Sequence, residues 1–264
     1  MPTRSLVLAP CALFIVCACS SPNNPAPVPP QPASTGVTTT SVASTTTSVQ
    51  TSGVRTVLSP LGLNIRGAPS ASGPVLGTAA QGAVLTVLGH TAQGGGWFSV
   101  KGATVTGWVI GSPRLTAEGR FKPYNSSQHL FSALYADTWT YIEAPPASVV
   151  FRLPAGADTV VVTTATTVDQ LGRGRAGYQR GFASQVVVCG VTGDLVVYAQ
   201  PSPRSTSGPG PAGVLGERYL AQTRLTLDTQ HALGIDANLA DISGLDAVRD
   251  FLNSVSFPFP QCEK

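Results

Sequence analysis

Charge is what this 264-residue sequence has least of. Asp, Glu, Lys and Arg make up 11% of it, under half of the roughly 25% usual for globular domains. The formal net charge is +3, too small and too scattered for a nucleic-acid footprint. Three His, one Met and no acidic cluster leave little raw material for a metal centre or an acid–base site, and no cofactor is implied. After the N-terminal segment there is no run of about 18 apolar residues, which excludes a polytopic membrane protein. The five Cys contain no CxxC spacing, so zinc and thioredoxin-type chemistry have no support. What the sequence does have is 42% hydrophobic residues, 28 Gly and 22 Pro. That is enough apolar material for the core of one or two domains, cut up by many turns.

The N-terminus carries an address. Arg4 precedes an apolar stretch from Leu6 to Val16, interrupted by Pro10. It is too short to stay in a bilayer as a spanning helix and fits a secretory signal. Val16-Cys17-Ala18-Cys19 follows: an aliphatic residue at minus three, a small one at minus one, then Cys. This resembles the lipobox of bacterial lipoproteins, with Cys17 at minus two an uncommon choice. The resemblance implies that residues 1–18 are a lipoprotein signal peptide, that Cys19 becomes the first mature residue, and that its thiol carries diacylglycerol with palmitate-type chains. Two or three acyl chains anchor stably because each buried methylene contributes about 0.8 kcal/mol. The expected location is extracytoplasmic, lipid-anchored to the cell membrane. A conventional signal peptide cleaved after Ala18 is the alternative. With Cys11 and Cys17 removed and Cys19 acylated, Cys189 and Cys262 remain in an oxidising compartment, where one disulfide is expected; two separate buried thiols are the other possibility.

Residues 19–53 form the anchor and a linker. From Ser20 to Ser52 there is no charged or aromatic residue, and 21 of the 33 positions are Pro, Ser or Thr. Such a segment cannot bury enough apolar surface to offset its ordering entropy, so a disordered tether is expected.

Residues 54–117 change character. Arg55–Leu58, Leu63–Arg66, Ala83–Leu88, Trp97–Val100 and Thr106–Ile110 are short Val-, Leu- and aromatic-rich runs separated by Gly, Pro and Ser, the pattern of a small all-β barrel. Leu63-Asn64-Ile65-Arg66-Gly67-Ala68-Pro69-Ser70, Val75-Leu76-Gly77-Thr78, Gly82 to Leu88, Trp97-Phe98-Ser99-Val100 and Gly107-Trp108-Val109 together resemble a bacterial SH3 (SH3b) domain. The resemblance implies a non-catalytic module that commonly binds peptidoglycan or its peptide stems, or docks a neighbouring domain. In a shallow groove Trp97, Phe98 and Trp108 would stack on sugar or peptide, while Asn64 and Arg66 supply hydrogen bonds. The competing expectation is structural: in so small a barrel a Trp fills the interior, and Asn-x-Arg at a strand end ties a turn.

Residues 118–264 are long enough for a second domain. Phe151–Leu153, Thr159–Thr166, Gln185–Gly190, Leu195–Gln200, Arg218–Leu227 and His231–Leu239 read as strands, the last two joined by a tight turn at Asp228-Thr229-Gln230. Leu245, Val248, Leu252 and Val255, with Phe251 beside them, make the apolar stripe of a terminal helix, and Ser243 with Asp246 suggests a capping box. Pro258 and Pro260 end it. The expected fold class is therefore an SH3-like barrel followed by an α+β domain, an antiparallel sheet with a C-terminal helix packed on it. The run Phe131 to Trp139 and the segment Leu245 to Phe257 make this part similar to PsbP-like lipoprotein domains, with Ala136 and a Pro/Gly-rich insertion at Pro201–Gly213 as departures. That likeness implies an envelope accessory or binding role and no catalytic residue.

Gly172-Arg173-Gly174-Arg175-Ala176-Gly177 spells GxGxxG outside any βαβ unit, so it reads as a basic loop and not a dinucleotide site. With Arg180 it places three Arg within eight residues, able to meet anionic lipid heads or wall-polymer phosphate. His129 and His231 have no sequence-local partner, and Cys189 reads as half of a disulfide, so no nucleophile–base pair emerges. These readings converge on a cell-envelope lipoprotein, not an enzyme, that binds or scaffolds by contacting peptidoglycan or a wall-associated protein through the SH3b module. The alternatives are an SH3b-targeted cell-wall hydrolase, or small-ligand or protein binding by the C-terminal domain.

Overall fold

The computed structural model describes residues 53–92, 96–126, 128–154, 157–201 and 216–258. The expected signal peptide, Cys19, the expected linker up to Ser52 and Cys262 lie outside them. The first sheet is built from β1 (Gly53–Val57), β2 (Leu63–Arg66), β3 (Val75–Ala79), β4 (Val84–Thr91), β5 (Trp97–Lys101), β6 (Thr106–Ile110) and β7 (Thr116–Glu118). Their spatial order is β3-β2-β6-β5-β4-β1-β7, with every pairing antiparallel. Alternation along β2 sends Leu63 and Ile65 inward to Leu85, Val100 and Val109, each worth about 1.5–3 kcal/mol once fully buried.

A two-stranded ribbon follows, β8 (Phe121–Ser126) with β9 (Phe131–Ala136). The second large sheet comprises β10 (Thr140–Ala144), β11 (Ser148–Arg152), β12 (Thr159–Ala165), β13 (Gln179–Val188), β14 (Val191–Pro201), β15 (Gly216–Thr226) and β16 (Ala232–Leu239), in the order β10-β11-β12-β16-β15-β14-β13. Helix α1 (Leu245–Ser254) buries Leu245, Val248, Phe251 and Leu252, the stripe read from the sequence. Phe251 meets Phe151 at 4.9 Å and stacks on Trp139 at 6.3 Å between ring centroids. Tyr124, Tyr135 and Tyr141 close round Phe151 from the ribbon and β10.

The expected fold class needs correction. Among the described residues strands take 56%, there is one short α-helix, and the three sheets include no closed barrel. The first sheet ends at β3 on one side and β7 on the other, and these two do not pair. The second half is likewise predominantly β. Strands missed in the sequence account for much of the difference. β3 and β10 are edge strands with mostly exposed side chains, so the period-2 signal that reveals a half-buried strand is absent. The capping box is corrected too. A 3-10 turn (Ile242–Gly244) precedes α1, Asp241 accepts from the Ser243 amide at 2.8 Å, and Gly244 at the N-cap offers no side chain.

The two halves of the described chain touch. Leu58 and Ala117 of the first half pack with Leu134 of β9, and Phe121 lies against them. Gln81 Nε2 donates to the carbonyls of Leu58 and Ser254, both at 2.8 Å. Asn253 Nδ2 donates to the Pro113 carbonyl at 3.0 Å.

Candidate functional site

Four of the five residues singled out for ligand contact, Asn64, Arg66, Trp97 and Trp108, share one face of the first sheet, and three of them line one groove. Because Leu63 and Ile65 point inward, Asn64 and Arg66 point out. Directly opposed residues of antiparallel strands share a face. The register sets Arg66 opposite Trp108, Trp108 opposite Ser99, and Trp97 opposite Ile110. Asn64, Arg66 and Trp97, with Leu61, Ile110 and Leu115, line a groove of about 360 Å³. Trp97 is 3% exposed and makes its floor, whereas Leu61 stands 64% exposed on its rim.

Both hydrogen-bonding residues are already engaged. Arg66 Nη1 donates to the Gly73 carbonyl at 2.7 Å, tying down the loop between β2 and β3. Asn64 Oδ1 accepts from Thr78 Oγ1 at 3.1 Å on the neighbouring strand. Each keeps further polar atoms for a ligand, since a guanidinium has five N–H donors and a carboxamide two. Trp108 is half-buried beside Arg66 and is not part of the groove lining. Phe98 turns to the other face. It sits 5.0 Å from the His90 ring and beneath the Arg55 guanidinium, 4.4 Å from ring centroid to Cζ. Arg55 also donates to Thr116 Oγ1 and its carbonyl. Burial lowers the Arg55 pKa against the opposing pull of Glu118 and Asp250. Leu61, Ile110 and Leu115 were not legible as site residues. An exposed Leu in a turn gives no sequence signal, and only the pairing of β5 with β6 brings Ile110 against Trp97.

Elsewhere, His129 is buried at 2% exposure with neither ring nitrogen partnered. Against the reading that it has no sequence-local partner, His231 Nδ1 lies 2.7 Å from Asp228 Oδ2, three positions earlier in the β15–β16 turn, and the histidine holds the Asp228 carboxyl below its ordinary pKa. Tyr124 donates to Glu143 Oε1 at 3.2 Å, and burial pushes its phenol up to about 12. Cys189 occupies the β13–β14 turn in a left-handed conformation, φ 49°, against the main core; Cys262 lies outside the described residues. Among the described residues no three His, Cys, Asp or Glu side chains come together to hold a metal ion. No described helix is long and apolar enough to cross a membrane.

Residues 61–112 match the bacterial SH3 domain family. No curated protein matches the chain. Among solved structures, a crystal structure from Bacteroides thetaiotaomicron is 12% identical, with 52% of this chain and 48% of that chain covered and a TM-score of 0.36. The solution structure of cyanobacterial PsbP (CyanoP) from Synechocystis is 15% identical, with 52% of this chain and 92% of that chain covered, also at a TM-score of 0.36. The chain thus spans about half the length of the first of these structures, and at this TM-score neither likeness bears on function.

Proposed function

We propose that this chain is a cell-envelope lipoprotein, held to the membrane by acyl chains on Cys19, that contacts peptidoglycan or a wall-associated protein through the groove floored by Trp97 and performs no chemistry of its own. The observation that carries the reading is a coincidence of place. The segment matching the bacterial SH3 family, a family of binding modules, supplies all of the groove in which Asn64, Arg66 and Trp97 converge except Leu115. An aromatic floor with hydrogen-bonding groups on its wall suits a sugar ring or an extended peptide. The linker from Ser20 to Ser52 would hold the folded part away from the bilayer, reaching roughly 100 Å at most in a polyproline II-like conformation. A Cys189–Cys262 disulfide would pin the C-terminal tail to the second sheet.

Sedimentation of the full chain with purified peptidoglycan tests this. Leu61→Asp combined with Asn64→Ala alters two exposed positions and should cut the bound fraction at least fivefold with the thermal melt nearly unchanged. If the folded double variant sediments like the wild type, the groove is not the contact.

A second reading has its own observation. The Gln81–Ser254 and Asn253–Pro113 hydrogen bonds and the Leu58, Ala117 and Leu134 cluster join the two halves. On that reading the SH3 segment docks onto the C-terminal part, which carries the binding. Retention by the C-terminal half despite the groove variant would favour it.

A further inference from the structure

The glycine-rich basic loop crosses the side of the second sheet that faces away from the core. Along β14, Leu195, Val197 and Ala199 are buried while Asp194, Val196 and Tyr198 alternate outward. The register places Gln222 of β15 beside Val196 and Arg224 beside Asp194. Arg224 ties the loop down: Nε donates to the Gly172 carbonyl at 2.9 Å and Nη2 to that of Leu171 at 3.2 Å, while Nη1 pairs with Asp236 at 2.6 Å. Gln222 accepts from the Gly174 amide at 2.6 Å and donates to Asp236 at 3.1 Å. With its side chain only 8% exposed, Arg224 is committed to holding the loop.

Two consequences follow for the other arginines. Arg175 goes to one flank, where it donates to Asn238 Oδ1 at 2.8 Å. Arg173 goes to the opposite flank, into a groove of about 380 Å³ that it shares with Arg180, Thr192, Asp194 and Tyr198. Arg180 lies directly opposite Tyr198 in the register. Among the described residues, the side chains of Arg173, Arg180 and Asp194 make no hydrogen bond or ion pair with one another or with any neighbour, and all three residues are exposed. The loop therefore leaves two unpaired guanidinium groups and one unpaired carboxylate around a single depression.

We propose that this groove binds a phosphorylated polyol. A guanidinium presents paired N–H donors in a fixed fork, and the tetrahedral oxygens of a phosphate can accept from two such forks at once, whereas a planar carboxylate offers one matching edge. Asp194 repels a bare anion placed beside it but accepts hydrogen bonds from hydroxyl groups, so the ligand carries hydroxyls next to its phosphate. The Thr192 and Tyr198 hydroxyls donate or accept as required, and the Tyr198 ring offers an apolar surface to the carbon skeleton. This site lies outside the SH3 segment and does not depend on the role proposed for that segment. The same chemistry is available from a free or polymer-borne polyol phosphate and from the head group of a phospholipid such as phosphatidylglycerol.

Titration calorimetry of the full chain with glycerol 3-phosphate and with inorganic phosphate at low salt tests the proposal, alongside sedimentation with vesicles of phosphatidylcholine with and without phosphatidylglycerol. Glycerol 3-phosphate should bind at least tenfold more tightly than inorganic phosphate. Arg173→Ala with Arg180→Ala should weaken it at least tenfold without shifting the melt, and the double Lys variant should weaken it less. Arg114→Ala with Arg120→Ala removes the same charge from exposed positions elsewhere and should change affinity less than twofold. Asp194→Ala should abolish the preference for glycerol 3-phosphate over inorganic phosphate. Capture by phosphatidylglycerol vesicles that is lost in the Arg173/Arg180 variant assigns the head group as the source; binding of the soluble ligand without vesicle capture assigns the free or polymer-borne form. Absence of binding to glycerol 3-phosphate and to vesicles alike, equal loss in both double arginine variants, or no preference over inorganic phosphate would overturn it.

Discussion

Ser254→Ala is expected to destabilise the folded chain by about 2 kcal/mol. Ser254 ends α1 and is fully buried. Its Oγ accepts from the Leu134 amide at 2.9 Å and directs its own proton toward the carbonyls of Phe251 at 2.7 Å and Leu134 at 3.0 Å. Its backbone carbonyl accepts from Gln81 of the first half. Replacing serine with alanine removes one oxygen, so loss of packing volume is minor. The main effect is a buried Leu134 N–H left without an acceptor, which costs about 1–3 kcal/mol. In a chain of this size each kcal/mol corresponds to a fall of about 2–4 °C in Tm, so a decrease of about 4–8 °C is expected. Urea unfolding should show a lower midpoint with an unchanged m-value, because the surface exposed on unfolding is the same. A loss below about 0.5 kcal/mol would refute the reasoning, since it would mean that the Leu134 amide finds another partner at no cost.

The Asp250 carboxyl is pushed up to about 6, first by burial and then by Asp246, against the pull of Arg55. Between about pH 4 and pH 6 the folded chain holds a proton that the unfolded chain has released, so this group lowers stability as pH rises through that window and its full cost persists above it. Asp250→Asn should therefore stabilise the chain at pH 7.5 by about 1 kcal/mol, after allowance for the carboxyl's partial exposure to solvent, and should have little effect at pH 4; equal melting shifts at both pH values would contradict this. For the exported protein, non-reducing mass spectrometry should find a diacylated N-terminal Cys19 and a peptide linking Cys189 to Cys262. An unmodified mature N-terminus with both thiols free would remove the anchor and the bridge together.

Local pattern alone was enough to mark out the first-half strands around Arg55, Leu63, Trp97 and Thr106, the β15–β16 turn and the α1 stripe, because short Val-, Leu- and aromatic-rich runs, or an apolar helical period, end at Gly, Pro, Ser or Asp. The bacterial SH3 likeness was also legible, since its residues recur at short spacings within one stretch. Edge strands β3 and β10 were not, because a strand that buries little carries no alternation. Sheet closure was not readable either. Whether β3 and β7 meet depends on how seven strands twist and pair across some 60 residues, and the outcome is an open sheet and not the expected barrel. The same limit applied to the sites. Asn64, Arg66 and Trp97 are nominated by residue type, but Phe98, one position from Trp97, faces the opposite way because successive strand residues alternate. Leu61 and Leu115 join the groove only through the fold. The arginine groove shows the difference most plainly: Arg173 and Arg180 stand out in a basic loop, yet it is Arg224, some 50 positions away and pairing across the sheet with Asp236, that holds the loop where those two charges share one depression with Asp194.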